Sequence, residues 1–210
     1  MFRHVTRSIG LVSPMRSTAP VMHHLATTPT LQTRFQSTVK PQAPVWIQNL
    51  LDEHEGKGYL LADAGLPSQG VSWGEIDSFQ HVNNKVYLAW FETARVNMFL
   101  KWGTDFQRFM SGQSIAPVMR SVNLAWRFPI KFPDQVTVVH KIDQILDDRF
   151  ILKGVVVGHK SKKVCARIEE VIVAVDYTKG ATKCSIPDDM REFLERKKRE
   201  QGAGEYDAQI

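Results

Sequence analysis

The sequence has little cysteine: two residues in 210, Cys165 and Cys184, with no Cys-x-x-Cys spacing. That excludes a disulfide scaffold and the common cysteine-based zinc and redox sites. Uninterrupted apolar runs of the roughly 18 residues that a bilayer-spanning helix needs are missing as well, so no membrane span is expected. No histidine follows His159, and neither strand-helix alternation nor an internal repeat is visible. A parallel doubly wound sheet and a solenoid are therefore poor fits. Acidic residues are absent until Asp52. This last absence accounts for the net charge of +5 and the pI near 9.2. Five of the 27 Lys and Arg lie within residues 1–40, which leaves 22 to face all 22 Asp and Glu. The body of the chain is formally neutral, and its charge gives no support for a nucleic-acid partner.

Residues 1–40 carry Arg3, Arg7, Arg16, Arg34 and Lys40 in a segment rich in Ser and Thr. This is the composition of a mitochondrial transit peptide. Phe2, Val5, Ile9 and Val12 fall on one side of a short amphipathic stretch, with Arg3 and Arg7 on the other. Arg34-Phe35-Gln36-Ser37 predicts a mature start near Ser37 and the matrix as destination. A disordered basic tail is the plainer alternative.

Residues 41–65 read as a linker with a short helix, Val45 to His54, carrying Trp46, Leu50 and Leu51 on one face. Val71 to Ile76 reads as a short strand. The strongest helical pattern spans Asn83 to Trp102, with Tyr87, Phe91, Ala94, Met98 and Trp102 in one stripe. Glu92 and Arg95 lie off that stripe at the spacing of an ion pair. Four extended segments follow: Pro117 to Phe128, Gln135 to Leu146, Phe150 to His159 and Lys163 to Tyr177. Short turn signals between them predict an antiparallel meander. A register change is expected at Glu169-Glu170, beyond which Val171, Val173 and Val175 would face inward. Ser185, Pro187, Asp188 and Asp189 open a last helix, and residues 201–210 read as a frayed tail. One long helix against an antiparallel sheet gives an α+β domain over residues 66–200.

Gly70-Val71-Ser72-Trp73-Gly74 matches the serine-hydrolase elbow, but that motif needs a helix starting at the serine and a later histidine. Neither context is present. More chemistry lies in Trp73 to Tyr87, where Asp77 precedes the first free N–H groups of the helix around Asn83 and Asn84. A carboxylate beside a positive helix end suits acyl transfer, which needs a base or nucleophile near an oxyanion donor. The same spacing also fits Asp77 as a turn residue and Asn83 and Asn84 as helix-start polar residues. No His, Cys and Asp cluster has metal-ligand spacing.

Asp77-x-x-x-His81-Val82-Asn83-Asn84-x-x-Tyr87, followed by Glu92-x-Ala94-Arg95, resembles the signature of hotdog-fold acyl-CoA thioesterases of the 4-hydroxybenzoyl-CoA thioesterase type. The likeness covers about residues 66 to 190. It implies a sheet wrapped around the helix, a homodimer or tetramer with active sites between subunits, and an acyl-CoA or acyl-carrier-protein substrate without metal or cofactor. It also implies that Asp77 is the catalytic carboxylate, as nucleophile or as base for water, and that the Asn84 backbone N–H is the oxyanion donor. His81, Asn83 and Glu92 are supporting candidates; a turn histidine and a Glu92–Arg95 ion pair are the plainer roles. Gln80 departs from the glycine common in relatives, which leaves a non-catalytic acyl-thioester binder as the alternative function. For the phosphates of CoA, two groups are candidates: Arg120, Arg127 and Lys131, or the turn from His159 to Lys163.

Overall fold

The computed structural model describes residues 42–112 and 114–203; the expected transit segment and residues 204–210 of the expected tail lie outside the described residues. In chain order the elements are α1 (Trp46–His54), β1 (Leu66–Gly70), α2 (Asn84–Lys101), α3 (Thr104–Gln107), β2 (Ile115–Trp126), β3 (Gln135–Ile145), β4 (Arg149–Gly158), β5 (Lys163–Asp176), β6 (Thr182–Lys183) and α4 (Asp188–Ala203). All strand pairs are antiparallel, in the order β1-β3-β4-β5-β2, with β6 added to the end of β5. The sheet curls around α2, which buries Tyr87, Phe91, Ala94 and Met98 of the expected stripe. Full burial of a side chain such as Phe91 is worth about 1.5–3 kcal/mol.

Several expectations are corrected. The sheet is not a full meander: β3, β4 and β5 follow one another, but β2 pairs with β5 at the far edge, so Arg127 to Asp134 crosses to β3 instead of forming a hairpin. Val71 to Ile76 is not the first strand, which ends at Gly70. Ser72 and Glu75 exchange side-chain and backbone hydrogen bonds as a capping box, and this winds Trp73–Glu75 into a short 3-10 turn. Ser72 therefore caps a single turn and opens no nucleophile helix. The short helix expected before His54 is present as α1, but the residues it buries are Ile47 and Leu51, which pack with Val139, Val155 and Val157 on the outer sheet face, while Trp46 and Leu50 are only partly buried. Gln201 is not frayed. It donates to Asp63 Oδ2 at 2.9 Å and accepts from the Ile142 N–H at 2.9 Å.

Alternation along β5 continues through Glu170, so Ile168, Glu170, Ile172 and Ala174 share the inner face. The expected register change on β5 at Glu169-Glu170 is absent; the β2–β5 pairing shifts on β2 between Met119 and Ser121, and β5 itself is irregular earlier, at Cys165, where Val156 pairs with Ala166 and Val157 with Val164. Arg95 also turns inward. It pairs with Glu170 and not with Glu92, which is exposed. His140 completes the group, its Nε2 at 3.5 Å from Glu170 Oε2. The imidazole reaches across β4 because Gly154 lies between: a Cβ there would stand 2.6 Å from His140 Cδ2. Burial, aided by Arg95, pushes the His140 pKa down to about 3. At Glu170 burial outweighs the attraction of Arg95 and pushes the pKa up to about 7.

Two outcomes follow from this packing. Gly65 lies so close to α2 that an added Cβ would be 1.8 Å from the Ala94 carbonyl oxygen. Both groups are backbone, so Gly65→Ala should lose about 3 kcal/mol or more in urea unfolding. The depressed His140 pKa contributes stability that is present above its ordinary value of 6.5 and is lost as pH falls toward 3. The raised Glu170 pKa acts in the opposite sense, present below 4.5 and lost as pH rises toward 7. His140→Leu removes only the first contribution. Its stability deficit against the wild type should therefore grow as pH rises from about 4 to 6.5, read from melting temperatures across that range.

Candidate active site

Asp77 opens a tight loop between the bridge partners Ile76 and Val82. Its N–H donates to the His81 carbonyl at 2.9 Å, and its own carbonyl accepts from the Gln80 N–H at 3.0 Å. The side chain is fixed as well, since Oδ1 accepts the Phe79 N–H at 2.9 Å and lies 3.5 Å from the His81 nitrogen. Asp77 is thus a turn residue, and Oδ2 is left without a hydrogen-bond partner among the described residues. Gln80 adopts φ 63, the left-handed conformation that glycine takes freely. The loop retains that conformation at a cost of roughly 1–2 kcal/mol.

Two ties hold the loop against its surroundings. The Val82 N–H donates to the Ile130 carbonyl at 2.8 Å, and the Asn83 N–H donates to the Glu75 carbonyl at 2.8 Å. Glu75 Oε1 in turn accepts from the Trp90 indole at 3.3 Å, so the 3-10 turn is anchored on α2. Asn83 is the N-cap of α2: Oδ1 accepts the Lys85 N–H at 3.1 Å, and its carbonyl accepts the Val86 N–H at 2.9 Å. The first amide of the helix, that of Asn84, has no acceptor among the described residues.

Asp77, His81, Asn84 and Tyr87 line one side of a cleft of about 340 Å³, with Trp126, Arg127 and Phe128 from the end of β2 and beyond on the other. Desolvation holds the Tyr87 hydroxyl protonated, its pKa pushed up to about 12. The structure therefore brings Asp77, His81 and Asn84 together, while Asn83 stands behind them as the cap. Glu92 lies apart, about 12 Å farther along the helix axis. Of the expected cations, Arg127 lines the cleft, and Lys163 of the His159 to Lys163 turn approaches it by packing over the Phe128 ring at 4.4 Å. Arg120 and Lys131 are exposed and do not line it.

The aromatic wall from Trp126 to Phe128 escapes sequence reasoning, since alternation marks the end of a strand without saying which helix end it faces. The buried Arg95–Glu170–His140 group also escapes it, although strict alternation from Ala166 would have placed Glu170 inward. Among the described residues no three His, Cys, Asp or Glu side chains converge as metal ligands, and no helix is long and apolar enough to cross a membrane.

Comparison with known proteins bears on this cleft directly, because the sequence pattern of the thioesterase-like superfamily matches residues 71–194, which include all of these candidate residues. The long-chain acyl-CoA thioesterase FadM of Escherichia coli (strain K12) is 30% identical over 121 residues, 58% of this chain and 89% of FadM. The crystal structure of YbaW, a probable thioesterase from Escherichia coli, covers 61% of this chain and 95% of its own at 28% identity, with a TM-score of 0.55. The DHNA-CoA thioesterase of Staphylococcus aureus covers 67% of this chain and 94% of its own with a TM-score of 0.56; at 17% identity that likeness bears on the fold alone. The neighbours share the hotdog architecture of a curled antiparallel sheet around a helix, and the chain belongs to the thioesterase-like superfamily.

Proposed function

We propose that the protein hydrolyses acyl-CoA thioesters, with Asp77 as the catalytic carboxylate and the Asn84 backbone N–H as the oxyanion donor. The observation that carries this reading is the convergence of both groups in one cleft. The overall reaction consumes one water and one thioester and yields a carboxylic acid and a thiol. In one form Asp77 Oδ2 attacks the thioester carbonyl, the thiolate leaves and takes a proton, and water then cleaves the mixed anhydride. In the other Asp77 accepts a proton from the attacking water. In both, the carbonyl oxygen gains charge at the helix N-terminus, where an N–H and the helix dipole favour it.

The 4-hydroxybenzoyl-CoA thioesterase type is the closest reading of the Asp77 motif within the superfamily. A pantetheine thioester carried by CoA or by a carrier protein fits the same cleft, with Arg127 and Lys163 as the nearest cations for phosphate. A homodimer is part of the proposal. The second edge of β2 is unpaired among the described residues, and Ser121 to Asn123 of that strand are exposed, so a second copy can extend the sheet there. The composition of residues 1–40 supports import into the mitochondrial matrix. The left-handed Gln80 favours the catalytic reading over a binding protein, since the loop conformation survives the departure from glycine.

Asp77→Asn should reduce kcat at least 100-fold, the scale of a lost general base, while the melting temperature stays within a few degrees. Release of free thiol from acyl-CoA reads the rate; equal rates for the two proteins would remove Asp77 from the mechanism. Thermal stabilisation by acyl-CoA without turnover by the wild type would select the binding alternative. The N-terminus of the protein purified from mitochondria should lie near Ser37, and an intact Met1 would contradict the import reading.

A further inference from the structure

A second cleft, of about 220 Å³, opens between α2 and the start of β2. Val96, Phe99, Ala116, Met119 and Ile172 make its walls largely apolar, and Arg95 is the one cation lining it among the described residues. We propose, on the basis of the thioesterase reading above, that this cleft receives the far end of the acyl group and that Arg95 selects chains ending in a carboxylate.

Three observations carry the proposal. The first is the state of the guanidinium. Arg95 is 7% exposed, and only Nη1 is engaged, by Glu170 Oε1 and by Met119 Sδ at 3.3 Å. Nε and Nη2 have no acceptor among the described residues, yet neither belongs to the fully enclosed unpartnered atoms. Their N–H groups are therefore not sealed off, and the cleft that Arg95 lines is the space beside them. A planar fork of donors inside apolar walls matches a planar pair of acceptor oxygens, which is what a carboxylate supplies.

The second is position. Arg95 follows Asn84 by eleven residues, three helical turns, so the two stand on the same face of α2 about 16 Å apart along the axis. The other wall is β2 at both ends: Trp126 borders the catalytic cleft, and Ala116 to Met119 border the second one. Between them Leu88 of α2 and Val122 of β2 are 36% and 39% exposed. An acyl chain held at Asn84 would pass Leu88 and Val122 to reach Arg95, with Glu92 the one carboxylate of α2 on this stretch.

The third is energetic. Replacing a buried ion pair by apolar side chains of similar volume is commonly neutral or stabilising, so stability alone does not call for Arg95 and Glu170 in this core. Nor does Glu170 fully satisfy the arginine. Its Oε2 and both ring nitrogens of His140 lack hydrogen-bond partners. Burial already holds the Glu170 carboxyl toward its neutral form, so a ligand carboxylate meets an arginine that is only partly compensated.

The test compares dodecanedioyl-CoA with dodecanoyl-CoA, two thioesters that differ at the far end of the chain. The wild type should favour the diacid at least tenfold in kcat/KM. In the double variant Arg95→Met/Glu170→Gln, which removes both charges together, that ratio should fall to one or below. A purely structural role for Arg95 would change both rates without changing their ratio. Equal kcat/KM for the two thioesters in the wild type, or a preference that survives in the double variant, overturns the proposal. Calorimetric titration of the same thioesters into Asp77→Asn separates it from the catalytic reading. A tenfold ratio in Kd for the diacid supports the Arg95 site even if the wild type turns over neither substrate, and equal Kd values overturn it. If the double variant does not fold, the wild-type ratios alone decide.

Discussion

The depth at which α2 lies in the curled sheet is set by backbone meeting backbone at Gly65, where the helix passes too close for any side chain. Asn97 of the same helix donates to the Gly65 carbonyl at 3.0 Å, so the approach is held by a hydrogen bond as well as by the absence of a Cβ. The remaining geometry depends on this seating. It brings the helix N-terminus level with the Asp77 loop, where the Val82 and Asn83 amides are already tied to Ile130 and Glu75. Three turns later it places Arg95 against β5. A helix displaced outward by a methyl group would loosen the mouth of the candidate site and the buried ion pair together.

Inside that frame the core divides into chemically different regions. Toward the C-terminal end of α2, Phe99, Trp102, Phe106, Phe150 and Phe193 pack as an aromatic cluster closed by α4. Midway along, Arg95, Glu170 and His140 introduce polarity. Removing one partner of such a buried pair typically costs about 3–5 kcal/mol, because the other charge remains enclosed without compensation. The pair therefore links the far edge of the sheet to the central helix with a strictness that apolar packing alone does not impose. Gly154 serves the same arrangement, since its missing side chain is the space in which the His140 ring crosses β4.

Much of this was legible from local pattern. The stripe from Tyr87 to Met98, the Asn83 cap and the four long strands follow from periodicity and capping chemistry, which act over a few residues. One difference is local, the Ser72–Glu75 capping box that replaces a strand at Val71 to Ile76; the others are long-range. Pairing of β2 with β5 instead of β3 depends on which edge the chain reaches after Phe128, and the Phe132-Pro133-Asp134 signal is the same for a hairpin and for a crossover. Glu170 faces inward where a register change is expected, and its partners, Arg95 and His140, come from positions 75 and 30 residues away. A Glu92–Arg95 pair is what i,i+3 proximity suggests, whereas contact across the core is not visible in a sequence. At the site, Asp77 and Asn84 were legible as neighbours of a helix start. The wall from Trp126 to Phe128 was not, because it arrives from the opposite edge of the sheet.

The dual use of Asp77 gives the loop its fitness for catalysis under the proposed mechanism. A carboxylate with both oxygens free would rotate, and part of its attacking or basic power would be lost in finding the reactive orientation. Here Oδ1 is held by the Phe79 amide, so the direction of Oδ2 is decided by the fold before any substrate arrives. The left-handed Gln80 is the local cost of that loop, one of the strained conformations that persist where surrounding hydrogen bonds over-determine them. The turn role and the catalytic role of Asp77 are consequently not competitors. One oxygen anchors the loop, and under the proposed mechanism that anchoring leaves the other free for chemistry in the cleft.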